Sequence, residues 1–316
     1  MTSRKWLPLL AVTAAIISAR VEASPRAFVA STGNDANVAT SCGPMTPCRG
    51  FAAAMTVVDA GGEIVALDAA GYGAVTITKS VSIIANPGAY AGIVTASPVG
   101  AAITIDTPSV NVLVRGLSLQ TTLYNGYGIY MHQGASLTVE NCTISGFQMG
   151  IAVDAQAAVK VSGSSIRDNH TGIFVSNATL DVSRSELLRN TNEGVWSKLM
   201  APGGFVVVSI SDSLLVGNGG AISVGGGAIL SDDDGHSGTQ KMSITRSTLS
   251  QNTTGVRASR LYSTATMTMT VTGSTVTGNQ TGFLQEGGAV FESLGNNTVR
   301  QNDTNASGTI TTVGTM

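Results

Sequence analysis
The chain has 316 residues; 11% of them are charged, 38 are glycine, and the formal net charge is −2. Soluble domains carry roughly a quarter charged residues. Here Thr, Ser, Asn, Val and Ala take their place, which favours strands joined by many turns over helices. Without a basic face or a basic run, nucleic acid is not an expected partner.

Taken in chain order, residues 1–23 read as a secretory signal peptide. Arg4 and Lys5 precede an apolar stretch from Trp6 to Ile17, and Val21-Glu22-Ala23 is a small-residue cleavage site. A membrane anchor is the alternative, but the apolar run is short for a bilayer and no later segment is longer. The mature protein is therefore expected to be exported, secreted or periplasmic, without membrane insertion. Residues 24–60 are expected to form an N-terminal cap. It would hold a strand at 26–31, the loop "CGPMTPC" closed by a Cys42–Cys48 disulfide, and an amphipathic helix over 49–60, apolar at Phe51, Met55 and Val58. Two free thiols are the alternative to the disulfide.

From residue 61 the chain repeats. A Gly followed by an apolar residue stands at Gly128-Ile129, Gly150-Ile151, Gly172-Ile173 and Gly194-Val195, then at Gly255-Val256 and Gly282-Phe283. The first four are 22 residues apart. An Asn recurs three residues after an aliphatic: Asn169, Asn190, Asn218, Asn252, Asn279 and Asn302. Each unit opens on alternating residues, as in Val159-Lys160-Val161 and Leu180-Asp181-Val182, which is the mark of a strand with one buried face. Three short strands per unit and no crossover helix predict an all-β right-handed parallel β-helix over 61–305, with 306–316 as a tail lacking a clear second cap. Stacked coils would align the six Asn amides into a hydrogen-bonded ladder, and Gly is expected where the chain bends and a Cβ would clash. Ser164, Ser185, Ser213, Ser247 and Ser274 form another equivalent series, with Cys142 in the same place one unit earlier. Cys142 is thus expected to be a small wall residue rather than a reactive thiol. The glycosylation sequons at Asn169, Asn252 and Asn279 fall on the ladder and would be poor acceptors.

On these residues the chain resembles the secreted right-handed parallel β-helix proteins of the pectin-lyase-like superfamily. Its opening, "FVASTGNDANVATSCGPMTPCRGFAAAM", is similar to that of poorly characterised bacterial members. The resemblance implies the fold and a polysaccharide partner, with substrate lying along one sheet flanked by enlarged loops. The enzyme motifs of pectate lyases and alginate epimerases do not occur in the chain. Because the fold hosts many functions, it does not name one.

Two faces offer sites. On the alternating strands, overhung by insertions at 198–204, 231–241 and 259–266, Lys160 and Arg184 are candidate catalytic groups, as base and clamp. Glu140, Asp181 and Asp212 are candidate Ca²⁺ ligands, and Arg246 lies beside them as a substrate contact. Alternatively, Lys160 and Asp181, at equivalent positions of adjacent units, pair at the surface with little energy at stake. "SDDDGH" at 231–236 is read as a solvated turn, with weak cation binding as its functional option. After the repeat Gly, Tyr130, Phe174 and Trp196 share one outward position, with Ala152 between the first two, and His132, Asp154 and Lys198 flank them. They make a candidate sugar platform, or else a patch covered by a loop, a terminus or a neighbouring chain. The expected function is polysaccharide binding or processing. A Ca²⁺-assisted uronate lyase and a non-catalytic structural or adhesive protein are the alternatives; no cofactor is certain, Ca²⁺ being the one candidate.

Overall fold
The computed structural model describes residues 24–95, 100–219, 229–232, 236–260 and 264–314. The expected signal peptide lies outside the described residues. No helix among them is long and apolar enough to cross a membrane.

The alternating segments become strands, and the strands stack coil upon coil into three parallel sheets of twelve, ten and ten strands. We name them I, II and III in the order the chain visits them. One coil runs Ser136–Glu140 in sheet I, Thr143–Ser145 in sheet II and Met149–Asp154 in sheet III. The next coil repeats this directly above, pairing Val139 with Val161, Ile144 with Ile166 and Ile151 with Ile173. Every strand bond thus joins residues one coil apart in sequence, and the inward positions line up as columns. The sheet II column of Leu119, Ile144, Ile166, Leu187, Leu215 and Leu249 is fully buried. Because β-branched and aliphatic side chains stack on copies of themselves, the core is continuous along the axis.

Turns carry buried polar columns. Asn190 Nδ2 donates to Asn218 Oδ1 at 2.9 Å and to the Ile166 carbonyl at 3.2 Å, while the Asn190 N–H donates to the same Oδ1 at 3.1 Å. The pattern recurs at Asn169, Asn218, Asn252, Asn279 and Asn302. Asn305 folds back to accept from Asn302 and closes the ladder. At the other end Asn169 Oδ1 accepts the N–H of Phe147, which occupies the Asn position one coil earlier. The serine series forms a second ladder: the N–H of Ser185 donates to Ser213 Oγ, and Ser185 Oγ donates to the Ser183 carbonyl. Cys142 begins this ladder, its N–H donating to Ser164 Oγ, and burial pushes its thiol up to about 11. It is a wall residue, not a nucleophile.

Of the bend and the Cβ clash expected at the repeat glycines, the structure shows the clash. None of Gly150, Gly172 or Gly255 has a positive φ. A Cβ on Gly172 would meet the Gly194 carbonyl oxygen at 2.5 Å and Asn190 Nδ2 at 3.0 Å. Close approach of the next coil and its ladder amide excludes the side chain.

At the N-terminus the strand Ser24–Val29 pairs with the first coil, and the Cys42–Cys48 disulfide is present. The helix spans Phe51–Val57, shorter than expected, because Val58 already begins the strand Val58–Ala66. Phe51 packs its ring 5.1 Å from Tyr72 and closes the core. The tail continues as strands Thr304–Ser307 and Ile310–Val313, which add to sheets III and I.

Two consequences can be measured. In Asn218→Ala, both Asn190 donors lose their acceptor in a buried turn. Destabilisation of about 3 kcal/mol is expected from two unsatisfied groups, read as a lower denaturant midpoint, with a smaller effect for the partly exposed Asn302→Ala. The second concerns Glu193, buried beside the ladder turn and accepting from Thr171 and Asn192. Burial raises its carboxyl from 4.5 to about 7. The folded state therefore favours the protonated form, and the stability this gives is complete below the unfolded value and lost as pH rises through about 7. Glu193→Gln should match the wild type in acid and exceed it by about 3 kcal/mol in mildly alkaline buffer; equal midpoints at both pH values would refute this.

Candidate functional site
Outward residues also stack in columns, so position within the coil decides which side chains meet. On sheet I, Lys160 sits between Thr138 and Asp181 on adjacent coils. Both charges are exposed, and neither takes part in an ion pair among the described residues. Glu140 is not in their column. It pairs in register with Arg115 and Ser162, and its carboxylate accepts from Arg115 Nε at 2.8 Å. Arg184, Asp212 and Arg246 are displaced again, at the turn leaving sheet I, each with positive φ. There Arg246 grips Asp212 through two bonds of 2.7 and 2.8 Å and holds its carboxyl below the usual range, with Arg184 adding to the field.

The expected Ca²⁺ set therefore does not fit the structure. Glu140 and Asp212 are engaged by guanidinium groups, and Asp181 stands in a third place beside a lysine. Among the described residues no three His, Cys, Asp or Glu side chains converge as a metal site. Hard cations need several converging oxygens. Of the Asp232-Asp233-Asp234 run, Asp232 ends the strand Ile229–Asp232, while Asp233 and Asp234 lie outside the described residues.

Sheet III does bring its candidates together. Register aligns Thr104, Tyr130, Ala152, Phe174 and Trp196 on successive coils. The last four floor a groove of about 250 Å³, completed by Tyr127, Met149, Asp154, Lys198 and Met200. The rings are not a uniform platform. Tyr127 and Tyr130 stack at 4.7 Å, 20° apart, whereas Phe174 meets Trp196 edge-on at 5.3 Å and 71°. Phe174 is 9% exposed and is covered, so Trp196 and the tyrosines present the rings. The small Ala152 between them supplies the depth. Lys198 Nζ lies 5.0 Å over the Trp196 ring.

One wall of the groove is polar. A bulge inserts His132 between Met131 and Gln133 relative to the preceding coil, which re-aims the side chain. His132 Nδ1 lies 3.4 Å from the Tyr130 hydroxyl and 3.8 Å from Asp154. Burial, then the negative charges of Asp154 and Asp106, raise the Tyr130 phenol. Asp154 pairs in register with Ser176, whose buried Oγ has no hydrogen-bond partner among the described residues; nor, among them, has Trp196 Nε1.

Tyr127, Met149 and Met200 escaped sequence reasoning. Tyr127 and Met149 precede repeat glycines and share one column, so the residue before each Gly was the available signal. Met200 belongs to the insertion at 198–204, expected to overhang sheet I; its side chain lines the groove of sheet III instead. One other depression, of about 340 Å³ beside the cap helix, is less suited to a ligand: it is lined by Ala, Thr, Val and Met, without a titratable or aromatic group. Arg246, set at the sheet I turn, does not reach the groove lining.

Comparison with known proteins agrees with this architecture. The chain is similar to the crystal structure of pectate lyase Pel9A at 16% identity, with a TM-score of 0.64 over 92% of this chain and 80% of that one. At that identity the likeness is one of fold alone. No curated protein matches the sequence. A family model described as a right handed beta helix region matches residues 101–304, the stretch that carries both ladders and the aromatic groove. The chain belongs to the right-handed β-helix family, with a pectin-lyase-like fold.

Proposed function
We propose that this protein is exported and binds polysaccharide, at the cell envelope or outside it, through the groove of sheet III. The observation that carries the reading is the column Tyr130–Ala152–Phe174–Trp196, which lines a concave site with apolar rings at its floor and Asp154 and Lys198 at its rim. Sugars present apolar C–H faces edged by hydroxyls. Exposed Trp and Tyr rings take the faces, and a few charged groups fix the hydroxyls. Coil spacing of about 4.8 Å sets the side chains along the direction in which an extended glycan would run. The disulfide and the signal-like N-terminus support an oxidising destination.

Glycan arrays or calorimetry should find a ligand whose affinity falls about tenfold in Trp196→Ala, the cost of one lost stacking contact, and also in Tyr130→Ala. Unchanged affinity in both variants would remove the groove from the function.

A lyase reading of sheet I has one observation in its favour, the exposed Lys160 beside Asp181, with no ion pair among the described residues. It is tested by absorbance of an unsaturated uronate product, with pectate, alginate and glycosaminoglycans, in Ca²⁺ and then in chelator. The groove reading expects no rise that depends on Lys160 or Arg184. A Ca²⁺-dependent rise abolished by Lys160→Ala or Arg184→Ala would make the protein a lyase and move its site to sheet I.

A further inference from the structure
Lys198 lies at the Trp196 end, in register with Asp232 of the next coil. At the Tyr130 end the charged groups acting on the phenol are negative, Asp154 and Asp106. The Asp154 side chain is 39% exposed and lines the groove; its one charge contact among the described residues is His132 at 3.8 Å, longer than a hydrogen bond. Beside it stand the stacked rings of Tyr127 and Tyr130, the second also facing the His132 ring at 6.0 Å, and aromatic rings attract cations. A partly exposed carboxylate beside aromatic rings is the pairing that an ammonium group seeks.

We propose that the Tyr130 end of the groove is an ammonium subsite, so that the glycan bound there carries free amines, as a polymer of amino sugars does. This rests on the glycan reading of the groove and names its substrate class. The amine lies against the partly exposed Asp154 carboxylate, which His132 only approaches, beside the Tyr127–Tyr130 pair. N-acetylation removes the charge and adds bulk in a groove of about 250 Å³. A uronate in the same place sets its carboxylate against Asp154 and Asp106, an arrangement that costs rather than stabilises.

The test is calorimetry of the mature chain in mildly acidic buffer, where the amine is charged. The ligands are short oligomers of glucosamine, of N-acetylglucosamine and of galacturonate. The glucosamine oligomer is expected to bind about tenfold tighter than the other two, the scale of one charge-assisted hydrogen bond. Asp154→Asn, which keeps the side-chain shape, should abolish that preference; Asp303→Asn, a distant exposed carboxylate, should retain it. If the N-acetylated or galacturonate oligomer binds as tightly, or the preference survives Asp154→Asn, the ammonium subsite is wrong. The glycan groove still stands in that case, provided Trp196→Ala weakens whatever binds. If no oligosaccharide binds at all, both readings fall.

Discussion

Everything in this molecule depends on one constraint: successive coils must lie in register at the inter-strand distance. Once Val139 pairs with Val161 and Ile144 with Ile166, every other residue of a coil is placed above its counterpart. Side chains must then tolerate a copy of themselves about 4.8 Å away. Aliphatic groups do so by dispersion, and amides by donating along the axis. Like charges do not, which accounts for the low charge content and for the alternation of sign where charges stack, as in Arg115 below Glu140 or Asp212 below Arg246.

The ladders follow from the same constraint. A turn between parallel strands leaves N–H groups that no neighbouring strand can take. Asn solves this by accepting the N–H of the preceding rung at Oδ1 while Nδ2 donates to a carbonyl and to the next Asn. Ser does so with a single hydroxyl at the other turn. Such columns are safe when complete, because a low-dielectric turn strengthens each bond and punishes each omission. Their ends are therefore informative. Asn305 terminates the amide ladder and Asn297 the serine ladder, by accepting from Ser274. Asn side chains near the end of the described coils do the work of a rung that the next coil would otherwise supply.

The site arises as a departure from uniformity within this regular frame. Stacking alone would give a flat face. Depth comes from a small residue, Ala152, set between large rings, and from a wall made by Met200 of an insertion. Direction comes from His132, pushed out of register by a bulge. The groove thus has an aromatic floor with Asp154 toward one end and Lys198 toward the other, on coils joined by the two ladders.

What was legible in the sequence was what repetition enforces. The 22-residue spacing of glycines, the Asn three residues after an aliphatic, and the Ser series with Cys142 at its head all report a local requirement felt identically on every coil, so periodicity alone revealed them. It also revealed that Tyr130, Phe174 and Trp196 share a column. It could not tell whether outward side chains converge, since that depends on which turn they leave and where a loop leans. Glu140, Asp181 and Asp212 look clustered along the chain, yet they occupy three separate places on the sheet I side, two of them in ion pairs with arginines. The cap helix was shortened because pairing of Val58–Ala66 with its neighbours overrode helix periodicity. The sequence by itself determined the coil and its ladders, because each rung needs the same residues. Tertiary structure decided the groove, because a concave site is made from the differences between rungs.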